Sequence, residues 1–235
     1  MYANSEVVGV QSVSLGIGSS TTLQFAWNTS GLGKGDYTIS ASASIIQGEV
    51  DTADNSKVAD SIVTILSQGH DVAVTSVTPS KTVVGQGYSM LVFVNAKNYG
   101  IFNESFDITV YVNTTAIQTQ TATLFSGDSV RLNFVWNTSG FAKGNYIVSA
   151  YAWPVPGETD TADNAFTNGQ VIVTMPGDVN GDGTVDIYDL ILVASAFGSQ
   201  TGYPEFNPNA DINADETTDI YDLILVASHF GETNP

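Results

Sequence analysis

The sequence contains no cysteine, so disulfides and thiolate chemistry contribute nothing to its stability or function. No run of about 20 apolar residues is present, and we therefore expect no membrane span. Positive charge is scarce: six Lys and Arg stand against 24 Asp and Glu, for a formal net charge of −18. Such a charge repels nucleic acid and attracts divalent cations, so we expect no nucleic-acid partner.

The sequence also lacks the patterns of an enzyme active site. Its two histidines, His70 and His229, have no motif partner, and no glycine-rich phosphate loop follows a predicted strand. Carboxylate pairs occur only in turns or in metal-type loops. We therefore expect this chain to be non-enzymatic. One alternative stays open, in which the chain forms the accessory tail of a larger secreted enzyme.

The negative charge is concentrated in two related stretches near the C-terminus. From Pro176 onward there are eleven acidic residues and no Lys or Arg. Residues 178–189 place oxygen-bearing side chains at positions 1, 3, 5, 9 and 12 and a glycine at position 6. This is the spacing of a calcium-binding loop that runs into a helix. Residues 211–222 repeat it, and the competing interpretation is two acidic turns of Asp and Asn.

The spacing predicts the ligands of two calcium ions. In the first loop these are Asp178, Asn180, Asp182, Thr184 through its carbonyl, Asp186 and Asp189; in the second they are Asp211, Asn213, Asp215, Thr217, Asp219 and Asp222. Glu216 replaces the glycine of the second loop, and a non-glycine residue at positive φ costs on the order of 1 kcal/mol. We expect the second site to be weaker or more distorted, and the module to fold poorly without calcium.

Nearly identical stretches follow the two loops. Residues 186–198 and 219–231 differ only at Ala196 against His229. Apolar residues recur at helical spacing in both, and each stretch ends on a glycine that can cap a helix. Each repeat is therefore predicted to be one calcium loop followed by one helix.

This tandem, at residues 176–232, resembles the type I dockerin family. The resemblance implies two loop–helix repeats, related by a pseudo-two-fold axis, that bind a cohesin β-sandwich. The recognition positions of the family, carried onto this sequence, are Ile187, Tyr188, Ala194, Ser195, Ile220, Tyr221, Ala227 and Ser228. Dockerins often carry small hydroxyl residues at the first pair of positions, whereas this chain carries Ile-Tyr twice.

Two segments of short alternating runs precede the tandem. The predicted strands are 7–10, 22–27, 37–43 and 61–65 in the first segment, and 71–77, 88–95, 106–112, 129–136, 146–151 and 170–174 in the second. Residues 27–31 (WNTSG) recur at 136–140, an offset of 109. Regular strands without helices predict antiparallel sandwiches. We expect Trp27 and Trp136 to lie in their cores, and Trp153 to lie in a loop.

These repeats look like the CARDB domain, an Ig-like sandwich of bacterial and archaeal surface proteins. The resemblance implies a spacing, adhesion or assembly role. The predicted fold is mainly β, with Ig-like sandwich repeats followed by a small α-helical calcium module. The predicted domains are a partial sandwich at 1–67, a complete one at 68–175 and the dockerin-like module at 176–235. Because the link at 174–177 is short, we expect this module to pack against the second sandwich.

The offset of 109 leaves the first sandwich without a counterpart of residues 71–110. A sandwich missing these strands has an uncovered core and an unpaired edge. In one interpretation the sequence is a piece of a longer chain. In the other, a neighbouring copy or a partner supplies the strands, which would build a homopolymer.

Two further patterns accompany the sandwiches. Asp51-Thr-Ala-Asp54-Asn55 recurs as Asp160-Thr-Ala-Asp163-Asn164, each preceded by a glutamate, and it indicates either an Asx-rich turn or a further calcium site. Glycosylation sequons occur at Asn28, Asn103, Asn113 and Asn137.

Taken together, the sequence predicts a calcium-binding structural or adhesion protein in the extracellular space or on the cell surface. Its expected partner is a protein, either a cohesin-like sandwich or another copy of itself in a head-to-tail filament.

Overall fold

The computed structural model describes residues 1–234. It divides the chain into two compact units, Met1–Gln68 and the residues from Gly69 onward. The second unit joins the predicted second sandwich and the predicted calcium module, while the three-domain division of the sequence stays a prediction.

The first unit is a single antiparallel sheet. Its strands are β1 (Tyr2–Ala3), β2 (Glu6–Val7), β3 (Gly35–Ser42) and β4 (Ser56–Ile65), in the order β2-β1-β3-β4. The strand predicted at 22–27 is wrong, and only Glu6–Val7 forms near the strand predicted at 7–10. Trp27, predicted to be core, is only half-buried.

The second unit contains an Ig-like antiparallel sandwich. Its strands are β5 (Val72–Pro79), β6 (Val83–Gly85), β7 (Ser89–Asn98), β8 (Glu104–Val112), β9 (Thr115–Leu124), β10 (Ser129–Asn137), β11 (Gly144–Ala152) and β12 (Ala165–Thr174). One sheet has the order β10-β7-β5 and the other β6-β12-β11-β8-β9. Only the pairing of β6 with β12 is parallel.

Two of these strands, β6 and β9, escaped sequence prediction. The first has three residues, and the second is rich in Thr and Gln rather than in large apolar residues. Pairing with neighbouring strands stabilises such segments even where their own pattern is weak.

A dense apolar core lies between the two sheets. Trp136 and Phe134 from β10 are fully buried, together with Ile108 from β8. The Trp136 ring contacts Phe141 and Tyr146 edge to face, with centroids 5.5 and 5.6 Å apart. Burying aromatic rings of this size contributes several kcal/mol of hydrophobic stabilisation, so this layer anchors the sandwich.

The two repeats share local geometry at the offset of 109. Strands β3 and β4 carry the same register irregularity as β11 and β12, at Thr38 and at Ile147. Strand β10 pairs along its length with β7, which has no counterpart in the first unit. This explains the failed prediction at 22–27, because a strand pattern without a hydrogen-bonding partner forms no strand.

Two short helices follow the sandwich, α1 (Ile187–Ser195) and α2 (Ile220–Ser228). They contact one another over a second apolar cluster that includes Val185, Val193 and Val226. Within residues 1–234, no helix has both the length and the apolar character needed to cross a bilayer.

Candidate functional site: two acidic loops and their helices

Each acidic loop is joined to its helix by a reciprocal cap. The side chain of Asp186 accepts a hydrogen bond from Tyr188 N at 2.8 Å, and Asp219 accepts one from Tyr221 N at the same distance. Asp189 and Asp222 reach back to accept from Asp186 N and Asp219 N, both at 2.9 Å. Loop position 9 is therefore the helix N-cap, and position 12 completes a capping box.

The aspartate at position 12 is fully buried inside each loop. Oδ1 of Asp189 accepts from Val179 N at 2.8 Å and from Asn180 N at 3.1 Å, and Oδ2 takes the cap bond. Asp222 receives the equivalent bonds from Ile212, Asn213 and Asp219. Three backbone N–H groups thus hold each buried carboxylate in place, which fixes the fold of the loop.

The remaining side-chain oxygens also face the loop backbone. Asp178 accepts from Gly181 N at 2.7 Å and from Gly183 N at 2.9 Å, and Asp182 accepts from Thr184 N at 2.9 Å. The second loop repeats the scheme at Asp211, Asn213 and Asp215. Among residues 1–234, no three Asp, Glu, His or Cys side chains are gathered as a metal cluster. The full ligand sets therefore stay predictions.

The chemistry of each loop nevertheless fits calcium. Asp178 is 3% exposed, and burial raises its pKa, with the charge of Asp189 adding to the effect against three hydrogen bonds. Burial likewise raises the pKa of Asp211, and the charge of Asp222 adds to it. Each loop thus confines two carboxylates that repel one another, and a hard dication with oxygen ligands relieves such a repulsion.

The two loops differ in backbone strain. Glu216 has φ +73° where Gly183 has +88°, which confirms that position 6 requires a positive φ. Ala214 also has φ +63°, at the position that Gly181 occupies with +76° in the first loop. Sequence reasoning missed Ala214, although the alignment of the loops places it against a glycine. The second loop carries two non-glycine residues in this region, so it is the more strained of the two.

The module has a pseudo-two-fold arrangement, because each loop pairs with the segment after the other repeat's helix. Val185 N donates to Glu232 O at 2.9 Å, and Gly231 N donates to Val185 O at 2.8 Å. Thr218 N donates to Ser199 O at 2.9 Å, and Gly198 N donates to Thr218 O at 2.8 Å. The repeats therefore complete one another and fold as one body.

The predicted docking residues are all exposed. Tyr188 and Tyr221 are 64% and 63% exposed, beside Ile187 and Ile220 at 50% and 52%. Ala194, Ser195, Ala227 and Ser228 are exposed as well. The structure adds four residues that sequence reasoning missed: Ile191, Phe197, Ile224 and Phe230. The spacing of four residues from Ile187 to Ile191 could have predicted that both lie on one face of the helix.

The module packs directly on the sandwich, as the short link predicted. Asn209 Oδ1 accepts from Thr82 N at 3.0 Å and from Val83 N at 3.2 Å, and its Nδ2 donates to Thr82 Oγ1 at 2.9 Å. The hydroxyl of Thr174 donates to Asp178, and the ammonium of Lys81 donates to the carbonyl of Asp211. Both acidic loops therefore touch the sandwich.

The acidic turns of the sandwiches cap backbone groups. Glu158 accepts from Val155 N and from Val72 N, both at 2.9 Å, and Asp160 accepts from Ala162 N at 3.1 Å. The first repeat has the equivalent bonds from Ile46 N to Glu49 and from Ala53 N to Asp51. These contacts favour the turn interpretation over a further calcium site.

All four sequon asparagines are exposed. Asn113 sits at φ +52° in the β8–β9 turn, where its Oδ1 accepts from Ile147 N at 2.9 Å. Trp153 is 51% exposed, and its indole N–H donates to Thr109 at 3.0 Å. The use of the sequons for glycosylation stays a prediction.

Comparison with known proteins finds a family match in the C-terminal part of the chain. Residues 176–231 match the family model of the dockerin type I domain, in agreement with the resemblance read from the sequence. No curated protein matches the chain.

Solved structures resemble less than half of the chain. A CARDB domain from Pyrococcus furiosus, described as a complex with di-metal ions, is 24% identical, with 46% of this chain and 97% of that chain covered and a TM-score of 0.40. A domain of a putative cell surface protein from Methanosarcina acetivorans is 24% identical, with 45% and 93% covered and a TM-score of 0.36. A β-glucosidase from Erythrobacter marinus is 13% identical, with 44% and 15% covered and a TM-score of 0.36.

Proposed function

We propose, from the dockerin type I domain at residues 176–231, that this chain docks in a calcium-dependent manner onto a cohesin-like β-sandwich. In this proposal the β units are non-catalytic spacers, and the protein works in the extracellular space or on the cell surface. A dockerin domain implies protein–protein interaction; the partner and the place of action are the proposed parts.

The observation that supports docking is the pair of exposed apolar helix faces. Tyr188 and Ile187 at the start of α1 have matched exposures to Tyr221 and Ile220 at the start of α2. Exposed aromatic and aliphatic groups are typical of protein interfaces, where tyrosine is a common anchor. The helix starts are positioned by the acidic loops, so an ion in a loop would also order the adjacent docking face.

Within each loop, the residues present would hold one calcium ion. The candidate ligands are Asp178, Asn180, Asp182, Thr184, Asp186 and Asp189, and their counterparts Asp211, Asn213, Asp215, Thr217, Asp219 and Asp222. The ion would supply positive charge to paired buried carboxylates. The capping boxes would transmit its ordering effect to α1 and α2, since positions 9 and 12 belong to both loop and helix.

Binding of purified cohesin modules, measured with millimolar calcium and with chelator, tests this proposal. Replacing both Tyr188 and Tyr221 by Ala should weaken binding by roughly 1,000-fold, since each interfacial tyrosine contributes about 2 kcal/mol and every 1.4 kcal/mol is a factor of ten. Tyr203→Ala is the matched control, because Tyr203 is 57% exposed but lies outside both helices. Binding that ignores the chelator, or that survives the double substitution unchanged, would contradict the proposal.

A second candidate function, head-to-tail assembly, is favoured by the open sheet of Met1–Gln68. Ile62 and Val63 on β4 are 61% and 40% exposed, and the segment around Phe25 forms no strand. A strand-bearing partner, including a second copy of this chain, would cover these groups. Filaments seen by electron microscopy in calcium but not in chelator support this function, whereas a monomer in both conditions argues against it.

A further inference from the structure

Lys81 connects the sandwich to the second acidic loop through a buried charge. It lies on the connection between β5 and β6, it is 5% exposed, and its ammonium donates to the backbone carbonyl of Asp211. A buried ammonium is costly unless anionic groups compensate for it. The compensating groups are identifiable: burial lowers the pKa of Lys81, while the charges of Asp211, Asp222 and Asp215 oppose that shift.

Those three carboxylates occupy positions 1, 12 and 5 of the second loop, which are predicted calcium-ligand positions. The ammonium therefore lies in the field that the loop would offer to calcium. The corresponding contact from the sandwich to the first loop is neutral, because the hydroxyl of Thr174 donates to Asp178. The two loops are related in sequence, but their contacts with the sandwich differ: the second loop receives the ammonium of Lys81, whereas the first receives the neutral hydroxyl of Thr174.

The surroundings of Lys81 leave its side chain room to move. A cavity of 430 Å³ lies between the sandwich and the module and is lined by Lys81, Met90, Phe93, Phe206 and Asp211, among others. An ammonium repelled by a dication in the loop could withdraw along this cavity. Breaking the contact to Asp211 would weaken the attachment of the sandwich at this point.

We propose that Lys81 is a built-in counter-cation of the second loop, so that calcium binding in this loop and attachment of the sandwich to it oppose one another. By linkage, the ammonium lowers calcium affinity in the second loop by the same factor by which calcium weakens the attachment. Couplings of this kind amount to about 5- to 150-fold. The inference rests on the calcium loops of the proposed function.

Calcium titration calorimetry on the full chain, with each loop disabled in turn, tests the inference. Asp182→Ala leaves the second loop to be measured, and Asp215→Ala leaves the first. Lys81→Met should raise calcium affinity about 10-fold in the Asp182→Ala background and leave it within two-fold in the Asp215→Ala background. Lys143→Met, at an exposed position of the same sandwich, should change neither.

Two further measurements keep the test decisive. Lys81→Gln retains a donor for the Asp211 carbonyl without the charge, so it should raise affinity as Lys81→Met does even if the methionine variant folds poorly. Hydrogen exchange at the Thr82 and Val83 amides, which donate to Asn209, should become faster when calcium fills the second loop.

An affinity of the second loop that is unchanged or lowered in both Lys81 variants would overturn the inference, as would equal gains in both loops. Unaltered exchange at Thr82 and Val83 would also count against it. Absence of calcium binding to either loop of the unmodified chain would instead overturn the proposed function, so the two failures are distinguishable.

Discussion

Replacing Asp189 by Ala tests whether the buried carboxylate at loop position 12 organises the loop in addition to serving as a predicted ligand. The substitution removes the acceptor of three backbone N–H groups, at Val179, Asn180 and Asp186. At about 1 kcal/mol for each bond, the loss is about 3 kcal/mol. The substitution also removes a charge that repels Asp178, but this repulsion is the smallest of the causes that shift the pKa of that carboxyl, below each of its three hydrogen bonds.

The loss of the three hydrogen bonds therefore outweighs the relief of the repulsion, and Asp189→Ala should lower the free energy of unfolding of the calcium-free protein by about 2 kcal/mol. In calcium the loss should be larger, because a ligand disappears as well. The assay is urea denaturation followed at two signals. Helical circular dichroism reports α1 and α2, whereas the three tryptophans all lie outside the module, at Trp27, Trp136 and Trp153.

Asp189→Asn is the matched control for the cap. Its carbonyl oxygen can still accept from Val179 and Asn180, but its amide cannot accept from Asp186 N, so about 1 kcal/mol should be lost in chelator. A helical transition that shifts by less than 0.5 kcal/mol in Asp189→Ala would refute the reasoning, because the buried carboxylate would then contribute nothing net to the loop.

Three further outcomes are expected. The pKa values of Asp178 and Asp211 are raised above those of the unfolded chain, so the stability that these two carboxyls contribute is present below about pH 4 and is lost as the pH rises through the folded pKa. Urea melts of calcium-depleted protein should therefore show lower stability at pH 7 than at pH 4.5. Higher stability at pH 7 would contradict the raised pKa values. Gly181→Ala should destabilise the protein by about 1–2 kcal/mol in thermal melts, since an added Cβ lies 3.0 Å from Val83 Cγ2 at φ +76°; a neutral result would mean that the loop is not pressed on the sandwich. Asn209→Ala removes three hydrogen bonds to the sandwich and should cost about 2 kcal/mol, while a loss below 0.5 kcal/mol would show that this contact does not hold the module.

Sequence pattern was sufficient where the signal was local. Loop spacing, helix caps and the position-6 strain at Glu216 depend on residues within about a dozen positions of one another, and the structure has each helix where the pattern placed it. The alternating strands of the complete sandwich were recognised for the same reason, because side chains alternate between a buried and an exposed face.

Pattern failed where a partner decides the outcome. Residues 22–27 alternate as well as residues 131–136 do, yet only the latter form a strand, because β7 supplies hydrogen bonds to β10 and has no counterpart in the first unit. The polar strand β9 shows the converse, since pairing with β8 orders a segment whose own apolar signal is weak.

The sequence by itself determined the type of module at the C-terminus, its two acidic loops and the apolar faces of its helices, because these depend on short-range spacing and helical periodicity. Only the tertiary structure decided that each loop pairs with the segment after the other repeat's helix, and that Lys81 contacts the second loop from 130 residues away. Such contacts join residues remote in the chain, and their chemistry depends on burial, which gives Lys81 and Asp211 a coupling that no local pattern carries.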